Sequence, residues 1–303
     1  MKIRRSPGRI AASQMVPACA LLLAMVSFTS GASLAKRLFP IVGAEGATTL
    51  RLVGGALMLL VVLRPWREGL RVAAMRPVII YGLAMGAMNL LFYMALRTVP
   101  LGIAVALEFS GPLAITILSS RAALDLLWIG LASAGLLLLL PIGGGLHHVD
   151  PAGAAMALGA GACWALYIVA GKKAGETHGV AATSIGMSVG AIAVLPIGVA
   201  HSGASLLRPD VLLLGVAVAF LSSALPYTLE MVALRRLRVQ TYGTLTSCEP
   251  AIGAVSGLLL LNETLTFGQM LAIGLIVFAA AGATWSASVS RREPDAAANL
   301  LPG

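Results

Sequence analysis

Charge is scarce in this sequence. Of 303 residues only 11% are Asp, Glu, Lys or Arg, while 58% are hydrophobic. A soluble domain carries about 25% charged residues, so a chain with less than half that share cannot cover a water-facing surface of its size. Cysteine is scarce too. Cys19, Cys163 and Cys248 lie far apart inside apolar stretches, which excludes a disulfide framework and gives no metal-ligand spacing. They read as small packing residues. Recognisable chemical motifs are missing as well. No G-x-x-x-x-G-K-[ST] phosphate loop occurs, which disfavours an ATP-driven pump. No H-E-x-x-H, G-x-S-x-G or Cys/His cluster argues for an intramembrane enzyme. His147, His148 and Asp150 have no further ligands nearby, so neither a metal site nor a bound cofactor is expected.

What the chain does have is long apolar runs, with a mean hydropathy of +0.93. Crossing a hydrocarbon core of about 30 Å takes roughly 17–25 apolar residues. Ten runs of that kind fall near 15–35, 44–63, 77–96, 101–119, 124–141, 151–171, 181–199, 211–232, 240–261 and 268–288. They are continuous rather than alternating, which argues for helices and against a β-barrel. The 34 glycines suit close helix–helix packing in a bilayer. The expected class is an all-α polytopic membrane protein with the lipid bilayer as its surroundings.

Ten spans place both termini on one side, and the distribution of Lys and Arg says which. With the N-terminus in the cytoplasm, sixteen basic residues fall in cytoplasmic segments and four outside: Lys36, Arg37, Arg97 and Arg208. Arg51 remains inside a span. This bias accounts for the net charge of +9 without any nucleic-acid partner. A cleaved signal peptide ending at Ser33-Leu34-Ala35 is the competing reading of the start. Its apolar stretch is long for a signal, and removing it would leave nine spans and spoil the charge bias.

The two halves resemble each other. ALRTVPLGIAVALEFSGPL at 95–113 lies over ALRRLRVQTYGTLTSCEPA at 233–251 without gaps, pairing Leu107 with Leu245 and Pro112 with Pro250 at an offset of 138. SFTSGASLAKR at 27–37 lies over CWALYIVAGKK at 163–173 at an offset of 136. The repeat unit is five spans, an odd number, so the halves cross the membrane in opposite senses. Inverted repeats are a transporter architecture, with the substrate site near the midplane where the repeats meet. The expected organisation is a cytoplasmic tail (1–14), a first five-helix repeat (15–141), a periplasmic linker (142–150), a second repeat (151–288) and a cytoplasmic tail (289–303).

Five stretches carry a family resemblance: GASLAKRLFPIVGAEG (31–46), LRTVPLGIAVALEFSGPLA (96–114), LGAGACWALYI (158–168), SALPYTLEMVAL (223–234) and GTLTSCEPAIGAVSG…LNETLT (243–266). They are similar, in register over about 15–288, to the bacterial threonine/homoserine exporters of the EamA-like branch of the drug/metabolite transporter superfamily. The resemblance implies an EamA-like inner-membrane exporter of small amino acids. It further implies ten spans around a central cavity lined by both halves.

Polar residues inside the spans are the candidates for that cavity. An ionisable group at mid-bilayer costs about 2.5–3.5 kcal/mol on insertion scales, so it faces the bundle interior or a water-filled cavity. Arg51, Glu108, Glu230, Glu249 and the uncharged Asn89 lie within spans. Helical spacing puts Tyr242, Thr246, Glu249, Gly253 and Ser256 on one stripe and Ser223, Tyr227 and Glu230 on another. Asn89 shares a face with Tyr93, and Trp164 with Tyr167. Glu249 or Glu108 could hold the substrate ammonium in one state and a proton in the other, coupling export to the proton gradient. Arg51 fits the substrate carboxylate bidentately, or neutralises a glutamate in a structural pair. Pro112, Pro226 and Pro250 each remove a backbone donor inside a span, marking kinks or hinges.

The principal expectation is therefore a proton-driven exporter of threonine, homoserine or similar amino acids, working by alternating access as a single chain or a homodimer. Export of another small metabolite or drug is the alternative within the class. A non-transporting scaffold or sensor is the alternative outside it, and such a protein would have little use for buried carboxylates in both halves.

Overall fold

A computed structural model describes residues 7–67, 75–118, 125–139, 149–179, 181–236 and 245–290. Among the described residues every regular element is helical. The order is α1 (Pro7–Ala35), α2 (Phe39–Leu63), α3 (Met75–Ala95), α4 (Leu101–Glu108), α5 (Ser110–Leu118) and α6 (Asp125–Leu139), then α7 (Pro151–His178), α8 (Ala181–Ser202), α9 (Pro209–Ala219), α10 (Leu225–Arg236), α11 (Glu249–Leu261) and α12 (Phe267–Ser290). In lipid each backbone N–H and C=O must be satisfied within its own segment, which leaves the helix as the form these apolar runs can take. Five helical stretches are long and apolar enough to cross a bilayer: Met15–Arg67 (which spans α1 and α2), Met75–Ala95, Pro151–His178, Ala181–Leu207 and Pro209–Glu230. Leu101–Ile115, Leu127–Leu138, Glu249–Leu261 and Phe267–Gly282 are shorter apolar helices. The chain is a polytopic helical membrane protein.

Several boundaries differ from those the sequence suggested. α1 begins at Pro7, inside the stretch expected to be a tail. The charged segment 171–179 is not a break, because α7 runs through it to His178. Lys and Glu are good helix formers, and the helix stops only where Gly179 adopts φ 57°. α2 starts at Phe39 but bends at Gly43 (φ 67°, ψ 177°), so the straight part begins where the apolar run does. Cys19, expected to pack, is exposed, while Cys163 and Cys248 are intermediate. His147, His148, most of the 142–150 linker and the outermost residues of both tails lie outside the described residues.

The bundle is built from pairs that join the first part of the chain to the second: α2 on α8, α3 on α7, α1 on α10, α4 on α11 and α6 on α12. One end of it is tied by polar contacts. Glu263 Oε1 receives Lys36 Nζ at 2.7 Å, and its Oε2 accepts the Leu101 backbone N–H at 2.7 Å, at the start of α4. Glu45 faces Arg97 Nη1 at 3.5 Å and His201 Nε2 at 3.6 Å. Asp150 caps α7 by accepting from Gly153 N–H at 2.8 Å, and it also accepts from Thr98 Oγ1 at 2.9 Å. Beneath this layer α4 is buried along its whole length.

Candidate functional site

Three helices break at or next to polar residues, and a proline follows each break. α4 ends at Glu108 and α5 resumes at Ser110, ahead of Pro112. A turn at Ser247–Cys248 precedes α11, which opens on Glu249 and Pro250. Glu249 is therefore at a helix start rather than beside a mid-helix kink. A proline in the first turn of a helix costs nothing, because its missing N–H has no partner there in any case. Tyr242 lies outside the described residues.

The third break is a π-turn at Phe220–Ala224 between α9 and α10. Its chemistry can be followed atom by atom. Leu225 N–H donates to Phe220 O, one residue further back than in an α-helix, which releases the Leu221 carbonyl. Pro226 has no N–H, which releases the Ser222 carbonyl. Both released carbonyls find donors on other helices: Ser27 Oγ of α1 reaches Leu221 O at 2.6 Å, and Arg51 Nη2 of α2 reaches Ser222 O at 2.9 Å. Arg51 Nε adds a bond to Ser223 Oγ at 3.2 Å. α1 can come this close because residue 31 is glycine: a Cβ there would lie 2.7 Å from both Ser222 Cβ and Ser222 N.

These breaks surround a cavity of about 80 Å³. A single water needs about 10–15 Å³ by such a measure, so the space holds several waters or part of a small solute. Glu108, Trp164, Tyr167, Pro226, Tyr227, Glu230, Thr246 and Glu249, all singled out from the sequence, line it. Three carboxylates thus share one cavity, and they are near enough to interact through space, Glu108 with Glu249 and Glu249 with Glu230. The aromatic wall is ordered: the Tyr167 ring stacks on Tyr81 at 4.7 Å with hydroxyls 3.2 Å apart, and Trp164 meets Phe109 edge-on. Carboxylates and aromatic faces together suit a cation of ammonium type.

Other candidates sit elsewhere. Arg51 and Tyr93 are fully buried but do not line the cavity. The Arg51 guanidinium lies 4.9 Å from the Phe28 ring centroid and 5.2 Å from that of Tyr93. Among the described residues no carboxylate reaches ion-pair distance of it. The structural pair with a glutamate is therefore not formed in this state. Nor is the bidentate geometry available, since Nε and Nη2 are already engaged. Asn89 is buried, donates to Met85 O at 2.8 Å, and lies beside Tyr227. The far half of the ninth-run stripe is packing: Ser256 bonds Thr29 Oγ1 at 2.8 Å, and Gly253 lies against Val105.

Leu21, Ala24, Met25 and Phe28 of α1 and Met88 of α3 complete the cavity, and no polar or charged signal marks them in the sequence. Glu45 was also missed as a buried carboxylate. It is the second residue of the 44–63 run, so a charge inside an apolar run was a usable signal for it.

Comparison with known proteins follows the same lines. Residues 151–285 match the EamA-like transporter family. The threonine/homoserine exporter RhtA of Salmonella typhimurium (strain LT2) is 53% identical over 280 residues, covering 92% of this chain and 94% of that protein. RhtA of Escherichia coli (strain K12) is 52% identical over 269 residues, covering 89% and 91%. One solved crystal structure superposes with a TM-score of 0.60 at 18% identity, over 90% of this chain and 98% of its own; at that identity the likeness concerns the fold alone.

Proposed function

The chain belongs to the EamA-like transporter family, in the drug/metabolite transporter superfamily, and on that premise we propose that it exports small amino acids of the threonine and homoserine type across the bacterial inner membrane. The name of the RhtA relatives supports the substrate class. The observation that carries the mechanism is the convergence of Glu108, Glu230 and Glu249 on one cavity among Trp164, Tyr167 and Tyr227. One carboxylate receives the substrate ammonium, and a proton replaces it on the return. Exchange of one proton for one zwitterion moves one charge, which is worth about 2.3 kcal/mol, or roughly fifty-fold in gradient, per 100 mV.

Alternating access needs two halves that rock about the site. The breaks support that arrangement: the turn at Phe109 and the turn that starts at Ser247 stand 138 residues apart, the same offset at which the halves align in sequence. The helix pairing supports it as well, because α1 on α10 and α3 on α7 exchange places when the halves are swapped. With both termini in the cytoplasm, the tied end that holds Lys36, Glu263, Glu45 and Arg97 faces the periplasm. The cavity then belongs to an inward-facing state.

The test is efflux of labelled threonine and homoserine from proteoliposomes, with and without an imposed pH gradient, for wild type and Glu249→Gln. Gradient-driven flux that the variant loses is the expected result. Flux insensitive to the gradient overturns proton coupling, and no flux of either amino acid from folded protein overturns the substrate class.

A further inference from the structure

Behind Phe28 the structure keeps two donors without acceptors. Arg51 and Tyr93 are each 0% exposed, and Arg51 Nη1 and Tyr93 Oη are buried polar atoms with no hydrogen-bond partner among the described residues. They belong to side chains in contact, with the guanidinium 5.2 Å from the Tyr93 ring centroid. Buried donors are nearly always satisfied, and an exception calls for an explanation. A buried cation without an ion-pair partner calls for one more strongly, because desolvation is offset only by a close counter-charge. Ser222, Ser223 and the π-turn hold the other two guanidinium nitrogens, so Nη1 is fixed in place while it is left open. Phe28 connects this corner to the cavity: it lines the cavity and carries the guanidinium over its ring at 4.9 Å.

We propose that Arg51 Nη1 and Tyr93 Oη form the carboxylate-reading half of the substrate site, closed off by the Phe28 ring in this state, so that the protein transports only solutes with a free carboxylate. The inference rests on the amino-acid reading of the cavity. It differs from a guanidinium fork in needing one nitrogen and one hydroxyl, both of which a single carboxylate can engage. In an amino acid the ammonium and carboxylate share one carbon, so the two halves of the site must adjoin. Arg51 and Glu108 are close enough to interact through space. Movement of Phe28 would join the subsites and occlude the solute between them.

The experiment compares threonine with threoninamide, which keeps the ammonium and side chain but has no carboxylate. Counterflow of labelled threonine in proteoliposomes is measured for wild type and Tyr93→Phe with either compound as competitor. Thermal melting of the purified full chain in a sulfate buffer free of halide and carboxylate is measured with threonine, threoninamide, acetate, acetamide and chloride. Threonine should compete at least tenfold better than threoninamide in wild type. Tyr93→Phe should weaken threonine by about tenfold or more, the loss of one hydrogen bond to a charged group, and leave threoninamide unchanged. Equal competition by the two compounds overturns the proposal. So does protection by chloride that depends on Tyr93 and that threonine cannot displace, since the donors then hold a halide. If threonine does not move at all, the amino-acid reading falls on its own. Melting still decides this one: Tyr93-dependent protection by acetate but not acetamide supports a carboxylate site, and its absence refutes it.

Discussion

Adding one methyl group at Gly31 tests whether the π-turn is clamped as described. An alanine Cβ there would sit 2.7 Å from Ser222 Cβ and 2.7 Å from Ser222 N. Carbon contacts are most favourable at about 3.5–4.0 Å, so α1 and the π-turn would have to part by roughly 0.8 Å. The obstacle includes backbone, which cannot rotate aside as the tip of a long side chain can. Overpacking of this kind costs about 1–3 kcal/mol. The same displacement stretches the 2.6 Å bond from Ser27 Oγ to Leu221 O, and a hydrogen bond contributes about 0.5–1.5 kcal/mol. Alanine's better helix propensity returns about 1 kcal/mol, leaving a net loss of about 0.5–3.5 kcal/mol for Gly31→Ala. Gly274→Ala is the control, because nothing lies within 4 Å of a Cβ there and only the propensity gain remains. Thermal unfolding of both variants in one detergent should rank them clearly, with Gly31→Ala below wild type and Gly274→Ala at or above it. A Gly31→Ala protein that melts with wild type would refute the close packing of α1 on the π-turn, and with it the route by which Ser27 satisfies the released carbonyl.

Two further outcomes are expected at the tied end of the bundle. Glu263→Gln keeps an acceptor for Leu101 N–H but loses the charge facing Lys36; the partners are 24% and 14% exposed, so the loss is about 1–2 kcal/mol, below that of a fully buried charged bond. That corresponds to about a five- to thirtyfold shift away from the closed end, read from distances between spin labels on the Lys36–Leu38 turn and the 262–266 loop; unchanged distances would sink the latch. Asp150, outside the spans, has its carboxyl held below the usual range by the Gly153 N–H and then by the Thr98 hydroxyl. Its contribution to stability is therefore present above the ordinary carboxylate value of about 3.9 and is lost as pH falls through the lowered value. Melting of wild type and Asp150→Asn should differ near neutral pH and converge in acid, and parallel curves throughout would contradict this.

The sequence made some of this legible and hid the rest for identifiable reasons. Apolar runs mark helices because lipid leaves the backbone no other partner; Pro112, Pro226 and Pro250 each follow a break, but Pro17 and Pro196 sit inside unbroken helices, so proline alone does not mark one. Glu108, Glu230 and Glu249 stood out because charge at depth is costly. α1 gave no such signal. Its 15–26 stretch is apolar on every side, so the face with Leu21 and Met25 cannot be told from the face against lipid. Shared helix faces also misled: Asn89 and Tyr93 are one turn apart on α3, yet Asn89 lies beside Tyr227 and Tyr93 lies against Arg51. Ser27, Ser222 and Ser223 were illegible as a group because their role depends on two carbonyls freed in another helix, which no local pattern records.

The two broken segments hold their carboxylates at different helix ends. Both break at the same offset, but Glu108 is the last residue of α4 and Glu249 the first of α11. A helix presents partial positive charge at its N-terminus and partial negative charge at its C-terminus. Glu249 thus stands at the N-terminus of α11, while Glu108 lies between the C-terminus of α4 and the N-terminus of α5. The opposite end of α4 is satisfied by Glu263, whose carboxylate accepts the Leu101 N–H. Helix α4 therefore carries a carboxylate at each end, one in the tied layer and one in the cavity, joined by eight buried residues. α11 makes a comparable link, since it opens on Glu249 in the cavity and ends at Leu261, and the Glu263 N–H donates back to its Gly257 carbonyl.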